Sequence, residues 1–275
     1  LIDFRNTFFR MYYGMPELSD WEGNNTQALY GCSRLIGTLY DHAQLHYSKN
    51  PIIIVCDDSK EDTYRKEKYD NYKATRVKEE RPEDFYKQLK LVYEFYNSSK
   101  ITILSLPKYE ADDIIASIAK RLSKKEHDVY IVSSDKDLCQ LVVNRHTFVF
   151  DGIKKITWHY GNIKDRFGVP VENIVDYLSL TGDKSDNIPW VAWIGKVWAT
   201  KLINNIGSIE EIYAAIEDEE KQKEYLASKV LSPSIVKKLI EGKKDAFFSK
   251  DLVTLYDIPI DTNLVLKEEF SPKNI

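Results

Sequence analysis

The chain has 275 residues, 43% hydrophobic and 30% charged, with no apolar run approaching the roughly 18 residues that span a bilayer, which argues against a helical membrane protein and against disorder. Cys32, Cys56 and Cys139 are far apart, odd in number and free of Cys-x-x-Cys spacing, which disfavours a disulfide framework or thiolate zinc site and fits a reducing, cytoplasmic setting. A formal charge of −4 does not exclude a polyanionic partner, because setting aside nine clustered carboxylates of the 43 acids leaves 34 against 39 bases.

Leu1-Ile2 reads as the end of a buried strand, followed at once by Asp3; with no initiating Met ahead of it, the start implies a trimmed chain or missing first residues. Ile52 to Cys56 is a second apolar run, ending in Asp57 and Asp58. Residues 60 to 81 carry eight Lys or Arg and six Asp or Glu, interleaved with Tyr64, Tyr69 and Tyr72. Ile101 to Leu106 precedes Glu110, Asp112 and Asp113, after which Ile114, Ile115, Ile118, Ala119 and Leu122 recur at helical spacing. Val129 to Val132 precedes Asp135 and Asp137. From about Val171 the pattern becomes short helices, at Ile174 to Leu180, Ala199 to Ile203, Ile209 to Ile216 and Ser234 to Ile240. Strands alternating with helices predict an α/β fold with a mainly parallel sheet covered by helices on both faces, over residues 1–181, and then a helical region, 182–275. In such sheets the ligand site lies beyond the carboxyl ends of the strands, where these acids would gather.

Glu110 and Asp113 alone read as ordinary helix capping. Capping does not explain why other strands also end in acid pairs. Converging carboxylates repel unless protonated or neutralised by cations, and oxygen ligands without nearby His or Cys favour Mg²⁺ or Mn²⁺ over zinc. Asp183 and Asp186 complete the set and point to a pair of metals about 4 Å apart, suited to in-line displacement at phosphorus. No P-loop is present, so ATPase chemistry is not expected.

Leu1-Ile2-Asp3, Tyr109-Glu110-Ala111-Asp112-Asp113, Ser133-Ser134-Asp135-Lys136-Asp137 and Gly182-Asp183-Lys184-Ser185-Asp186-Asn187-Ile188-Pro189, in this order, resemble the 5′-nuclease family of bacterial DNA polymerase I amino-terminal domains, phage 5′-exonucleases and flap endonucleases. The resemblance implies a PIN-like nuclease core followed by a helix-hairpin-helix near residues 188–204. It implies Asp3, Asp57, Glu110, Asp112, Asp113, Asp135, Asp137, Asp183 and Asp186 as metal ligands, direct or through water, with Asp58 outside the pattern. Residues 60–81 resemble the family's arch, with Lys73 and Arg76 at the scissile phosphate and Arg65 and Tyr72 facing DNA. By residue type alone, Lys73 and Arg76 read equally well as a solvated face, and Tyr72 as packed against its own scaffold.

Two departures stand out. Phe4 occupies the place of the family's glycine after the first Asp, where it would crowd the metal site. The glycine-rich hairpin, which often holds a potassium ion, is replaced by Trp190-Val191-Ala192-Trp193-Ile194-Gly195-Lys196-Val197-Trp198; of its glycines only Gly195 remains, and Lys196 is displaced by one residue from the expected lysine. Impaired duplex anchoring is the favoured reading, with base stacking by Trp the alternative. The implied function is Mg²⁺-dependent hydrolysis of DNA at 5′ ends and 5′ flaps by a monomer, free-standing or joined to a polymerase domain or replication partner. The alternatives are a metal-dependent ribonuclease and a branched-DNA-binding protein with impaired catalysis.

Overall fold

Alternation along four short strands decides what each face of the sheet carries. The structure is a computed structural model that describes residues 1–76 and 81–266; part of the arch-like segment, residues 77–80, and the last part of the helical region, 267–275, lie outside the described residues. In chain order it runs β1 (Ile2–Asp3), α1 (Phe4–Gly14), α2 (Gln27–Tyr47), β2 (Ile54–Cys56), α3 (Tyr64–Lys68), α4 (Glu83–Ser98), β3 (Thr102–Leu104), α5 (Ala111–Ser123), β4 (Val129–Val132), β5 (Thr147–Asp151), β6 (Ile156–Trp158) and α6 (Ile163–Phe167). The remaining helices are α7 (Ile174–Thr181), α8 (Lys196–Asn205), α9 (Ile209–Glu217), α10 (Glu219–Ala227), α11 (Pro233–Glu241), α12 (Lys243–Val253) and α13 (Thr262–Val265).

The sheet order is β3-β2-β1-β4-β5-β6, parallel except for β6 against β5. Side chains of successive strand residues point to opposite faces. Ile53 and Val55 accordingly join Ile2 and Val132 in a core with Phe8, Ile36 and Val92 of α1, α2 and α4. Ile54 and Cys56 join Val129 and Ile131 in a core with Ile114 and Ile118 of α5. That second core continues without a break into Ile174, Leu178, Leu202, Ile212, Leu239 and Leu252 of the helical region. The expected parallel sheet with both faces covered is therefore present. β5 and the edge strand β6 were not anticipated from the sequence.

The apolar face of α1 corrects one expectation. Phe4 is fully buried, its ring centroid 4.7 Å from that of Tyr93 and 6.0 Å from that of Tyr96, on the α1 and α4 side of the sheet. It does not crowd the acids, because Asp3, the next residue back, faces the other way.

After α12 the chain returns along α5. The Asp113 carboxylate accepts the backbone N–H of Tyr256 at 2.9 Å, and the Ser117 hydroxyl accepts that of Ile258 at 2.8 Å. Among the described residues no helix is long and apolar enough to cross a membrane.

Candidate metal centre and nucleic-acid surface

The carboxyl ends of β1 and β4 and the amino end of α5 bring most of the predicted acids to one edge. Asp3 caps α1, accepting the Asn6 N–H at 3.2 Å, and its other oxygen accepts the Ser133 hydroxyl at 2.7 Å. Burial, reinforced by Asp135 and Asp58, pushes the Asp3 carboxyl up to about 7. Burial and mutual repulsion also push Asp112, Asp135 and Asp137 upward, with Asp135 acting on both of the others. Among the described residues, one buried oxygen of Asp137 has no hydrogen-bond partner.

The other half of the cluster is neutralised from within. Glu110 accepts from Arg65 and from the Tyr72 hydroxyl, each at 3.0 Å, and from the Lys73 ammonium. Asp113 accepts two guanidinium N–H groups of Arg65, at 2.7 and 2.8 Å, and reaches back to the Glu110 N–H at 3.3 Å, so the capping reading of this helix start is partly realised. Asp186 meets Arg76 and Lys73. Burial pushes the Asp183 carboxyl up, but Lys136 at 2.7 Å and the Ser185 N–H and hydroxyl outweigh it and hold it below its ordinary value.

Asp57 is placed apart from this arrangement. Its carboxylate accepts from Arg5 at 2.7 Å and from the Tyr93 hydroxyl, on the α1 and α4 side. Asp58 instead accepts the Ala111 N–H at 2.9 Å, at the start of α5.

Two residues expected to face DNA are elsewhere. Arg65 is 2% exposed and also donates to the carbonyls of Leu252 and Thr254, because its planar fork is the neutralising partner of two buried acids. Tyr72 is 5% exposed, and its hydroxyl lies between Glu110 and Asp186. Lys73, in contrast, sits at φ +55, its N–H bonded to the Asp186 carbonyl at 2.8 Å, and half-exposed Arg76 reaches the same acid. With Asn187 donating to the Asn71 carbonyl at 2.7 Å, the foot of the arch-like segment is seated on the loop that carries Asp183 and Asp186. Gly182 starts that loop at φ +63, where an added Cβ would meet the Pro189 carbonyl oxygen at 2.5 Å.

Among the described residues no three acids, histidines or cysteines are drawn together closely enough to hold an ion as the side chains stand. The donor chemistry nevertheless fits hard divalent cations. Asp3, Asp112, Asp135 and Asp137 are all-oxygen donors held together against their repulsion with few cations to balance them, while Lys73 and Lys136 border the group.

These shifts set a pH dependence. The Asp3 carboxyl rises from 3.8 to about 7 on folding, so the folded state holds its proton more tightly than the unfolded chain. The stability this contributes is fully present below the unfolded value and is lost as pH rises through the folded one. In EDTA, the melting temperature should fall between about pH 5 and about pH 8, and added Mg²⁺ should raise it more at the upper pH. A flat profile in EDTA would remove this account of the cluster.

The divergent hairpin joins α7 to α8. Trp193 is 78% exposed at φ +69, with the Lys238 ammonium 5.3 Å from its ring, and Trp190 is partly exposed beside Lys184. Gly195 and Lys196 are exposed at the start of α8, with Gly195 at φ −84 and open space where a Cβ would be. The left-handed conformation that favours glycine therefore falls on Trp193. Trp193→Gly should stabilise the protein by up to about 1 kcal/mol by removing that strain, measured by urea unfolding. An unchanged or lower stability would show that the Lys238 contact outweighs it.

Signals that sequence reading passed over include Arg5 opposite Asp57, Ser133 on Asp3, Lys136 on Asp183, and the strand parity that separates Asp57 from Asp58. The first three are identifiable only once the strands are in register.

The model of the 5′-3′ exonuclease N-terminal resolvase-like domain matches residues 1–168, and that of the 5′-3′ exonuclease C-terminal SAM fold matches 169–272. The 5′-3′ exonuclease of Buchnera aphidicola subsp. Baizongia pistaciae is 34% identical over 98% of this chain and 84% of its own length. The 5′-3′ exonuclease of Aquifex aeolicus is 32% identical over the same shares. DNA polymerase I of Deinococcus radiodurans is 32% identical over 95% of this chain, which spans only 25% of that relative. A structure of T5 5′-exonuclease with bound zinc superposes with a TM-score of 0.73 at 21% identity, over 92% of this chain and 88% of that one, which shows a shared fold. The two domain models, together with exonuclease relatives matched over 84% of their length, establish that this chain belongs to the 5′-3′ exonuclease family.

Proposed function

We propose that this 5′ nuclease hydrolyses DNA phosphodiesters at or near 5′ ends and 5′ flaps, using two Mg²⁺ ions for which Mn²⁺ can substitute. The observation that carries this reading is the buried group of Asp3, Asp112, Asp135 and Asp137, whose repulsion is left largely uncompensated beside a second group already paired with Arg65, Lys73 and Arg76. The first group, with Asp183 and Asp186, would hold the ions, which supply an activated water and stabilise the leaving oxygen.

The chain's own residues then divide the remaining work. Lys73 and Arg76 reach the cluster from the arch-like segment, where a scissile phosphate would draw them from Glu110 and Asp186 and share their charge as it builds in the transition state. Ser133 fixes the orientation of Asp3, and Lys136 that of Asp183. Lys184, Lys196 and Lys238 around Trp190 and Trp193 offer charge to a DNA backbone, although the bulky hairpin keeps backbone amides from the close approach that glycines allow.

Purified protein should cleave a labelled 5′-flap DNA with Mg²⁺, lose that activity in EDTA, and recover it in Mn²⁺. Single-stranded RNA at equal protein concentration is the control, and preferential RNA cleavage would replace the DNA reading with a ribonuclease. Tight flap binding without cleavage in either metal would instead make the chain a branched-DNA-binding protein. The polymerase-length relatives raise a polymerase domain or replication partner as a companion.

A further inference from the structure

We infer that Tyr64, Tyr109 and Tyr256 form a stacking pocket for one unpaired nucleobase of the 5′ strand, beyond the arch-like segment. The inference rests on the proposed nuclease reading and deepens it, by naming where the single strand is held.

The three phenols come from separate parts of the chain. Tyr64 opens α3, Tyr109 lies between β3 and α5, and Tyr256 belongs to the segment that returns after α12. With Glu67 and Lys68 they line a cavity of about 500 Å³. The ring centroids of Tyr64 and Tyr109 are 5.0 Å apart, those of Tyr64 and Tyr256 6.2 Å, and those of Tyr109 and Tyr256 6.4 Å, all edge to face. Backbone hydrogen bonds fix the frame: the Tyr64 N–H donates to the Lys108 carbonyl and the Ser59 N–H to the Tyr109 carbonyl, both at 3.0 Å, and the Tyr256 N–H donates to Asp113. Tyr64 is 39% exposed, at the open side of the cavity.

Charge decides the class of ligand. Lys108 pairs with Glu67 at 2.8 Å, and Lys68 with Asp251 at 2.6 Å. Each ammonium is matched by a carboxylate, so these pairs give the pocket no preference for a phosphate. Aromatic surface and phenol hydroxyls remain. They suit a planar, uncharged ring with polar edges, which is what a nucleobase offers.

The sheet order places this pocket on the strand's path. Asp135 follows β4 and Asp3 ends β1; the arch-like segment leaves β2; Tyr109 follows β3, the outer strand. Cluster, arch and pocket therefore follow one another across the sheet. The Arg65 guanidinium links the last two steps, with its carbon 4.9 Å from the Tyr256 ring centroid and one nitrogen 3.0 Å from Glu110. From β1 to β3 is two strand spacings, about 10 Å. About three nucleotides cover that distance at the duplex rise of about 3.4 Å. A base inside a duplex is already stacked on its neighbours, so the single-stranded 5′ portion is the part that supplies one.

The test is the affinity of the full chain for 5′-flap DNA in EDTA, read by fluorescence anisotropy. A flap with every base present is compared with flaps carrying one reduced abasic residue, moved through the first five positions. The starting protein should lose about tenfold in affinity when the gap falls near the third nucleotide, and little elsewhere. Tyr64→Ala and Tyr256→Ala should bind the intact and gapped flaps equally, whereas Tyr64→Phe and Tyr256→Phe should keep the preference. A merely structural loss would weaken both DNAs alike, and circular dichroism confirms that each variant folds. Affinity indifferent to the missing base, or a preference that survives in both alanine variants, would overturn the inference; Mg²⁺-dependent cleavage of the intact flap would then still uphold the nuclease reading. If the starting chain neither binds nor cleaves flap DNA, both fall.

Discussion

Asp135→Asn should lower Mg²⁺-dependent flap cleavage by about a thousandfold, consistent with the several kcal/mol that a metal-bound charge supplies in the transition state. The same substitution should raise the melting temperature of the metal-free protein. Both signs follow from one cause. Asp135 lies within reach of Asp3, Asp112, Asp137, Asp183 and Asp186; its charge pushes the carboxyls of Asp3, Asp112 and Asp137 upward, and Asp183 and Asp186 push its own upward. Removing that charge relieves repulsion among the acids when no cation is bound and deprives a bound cation of a hard donor. A residue with only a packing role would lower stability on substitution and leave metal affinity unchanged. If cleavage persists at its starting rate, Asp135 is not a ligand.

Arg65→Ala is the second large expected effect, a loss of about 3–5 kcal/mol in urea unfolding. The guanidinium bonds Glu110, Asp113 and the Leu252 carbonyl, all buried, and the carbonyl of Thr254 at the edge of that site. Truncation strips Asp113 of its cationic partner, leaving it only backbone N–H donors, removes one of the three donors to Glu110, and takes the side-chain donor from the two carbonyls. Arg65→Lys should recover only a minor part, since an ammonium cannot reproduce the bidentate fork on Asp113. A loss below about 1 kcal/mol would mean that water reaches Asp113 and replaces the fork. Either result bears on expectation, because the resemblance to 5′-nucleases placed Arg65 against DNA.

What the sequence made legible follows the physical range of each signal. Val129 to Val132 is short, apolar and followed by acids, and it forms a strand over those same residues. The Asp3, Asp112, Asp135 and Asp137 set was recognisable because four acids at the ends of strands or the start of a helix are hard to explain by solvation. Tyr72 and Arg65 were misplaced because residue type does not disclose burial; each is polar, and each is enclosed by partners nearly forty residues or more away in sequence. Trp193 was legible as an intrusion into a glycine-rich turn, but its positive φ is a property of the backbone path. β6 escaped notice because it is three residues long and lies at the sheet edge, where burial pressure and periodicity are weak. Asp57 and Asp58 illustrate a subtler limit. Their parity was countable from Ile53 onward, yet it acquires meaning only when the opposing faces are known to hold an aromatic core and a carboxylate cluster.

The returning segment after α12 has a practical consequence for dissecting the molecule. Residues 252–258 supply carbonyls to Arg65 and N–H groups to Asp113 and Ser117, so the end of α12 and the segment that follows it complete wiring that begins inside the α/β half. An expression product ending near residue 168, where the first domain match stops, would leave those groups without their donors and acceptors. The two halves match as separate units of sequence comparison but share a continuous core and these hydrogen bonds, so limited proteolysis should release no stable α/β fragment.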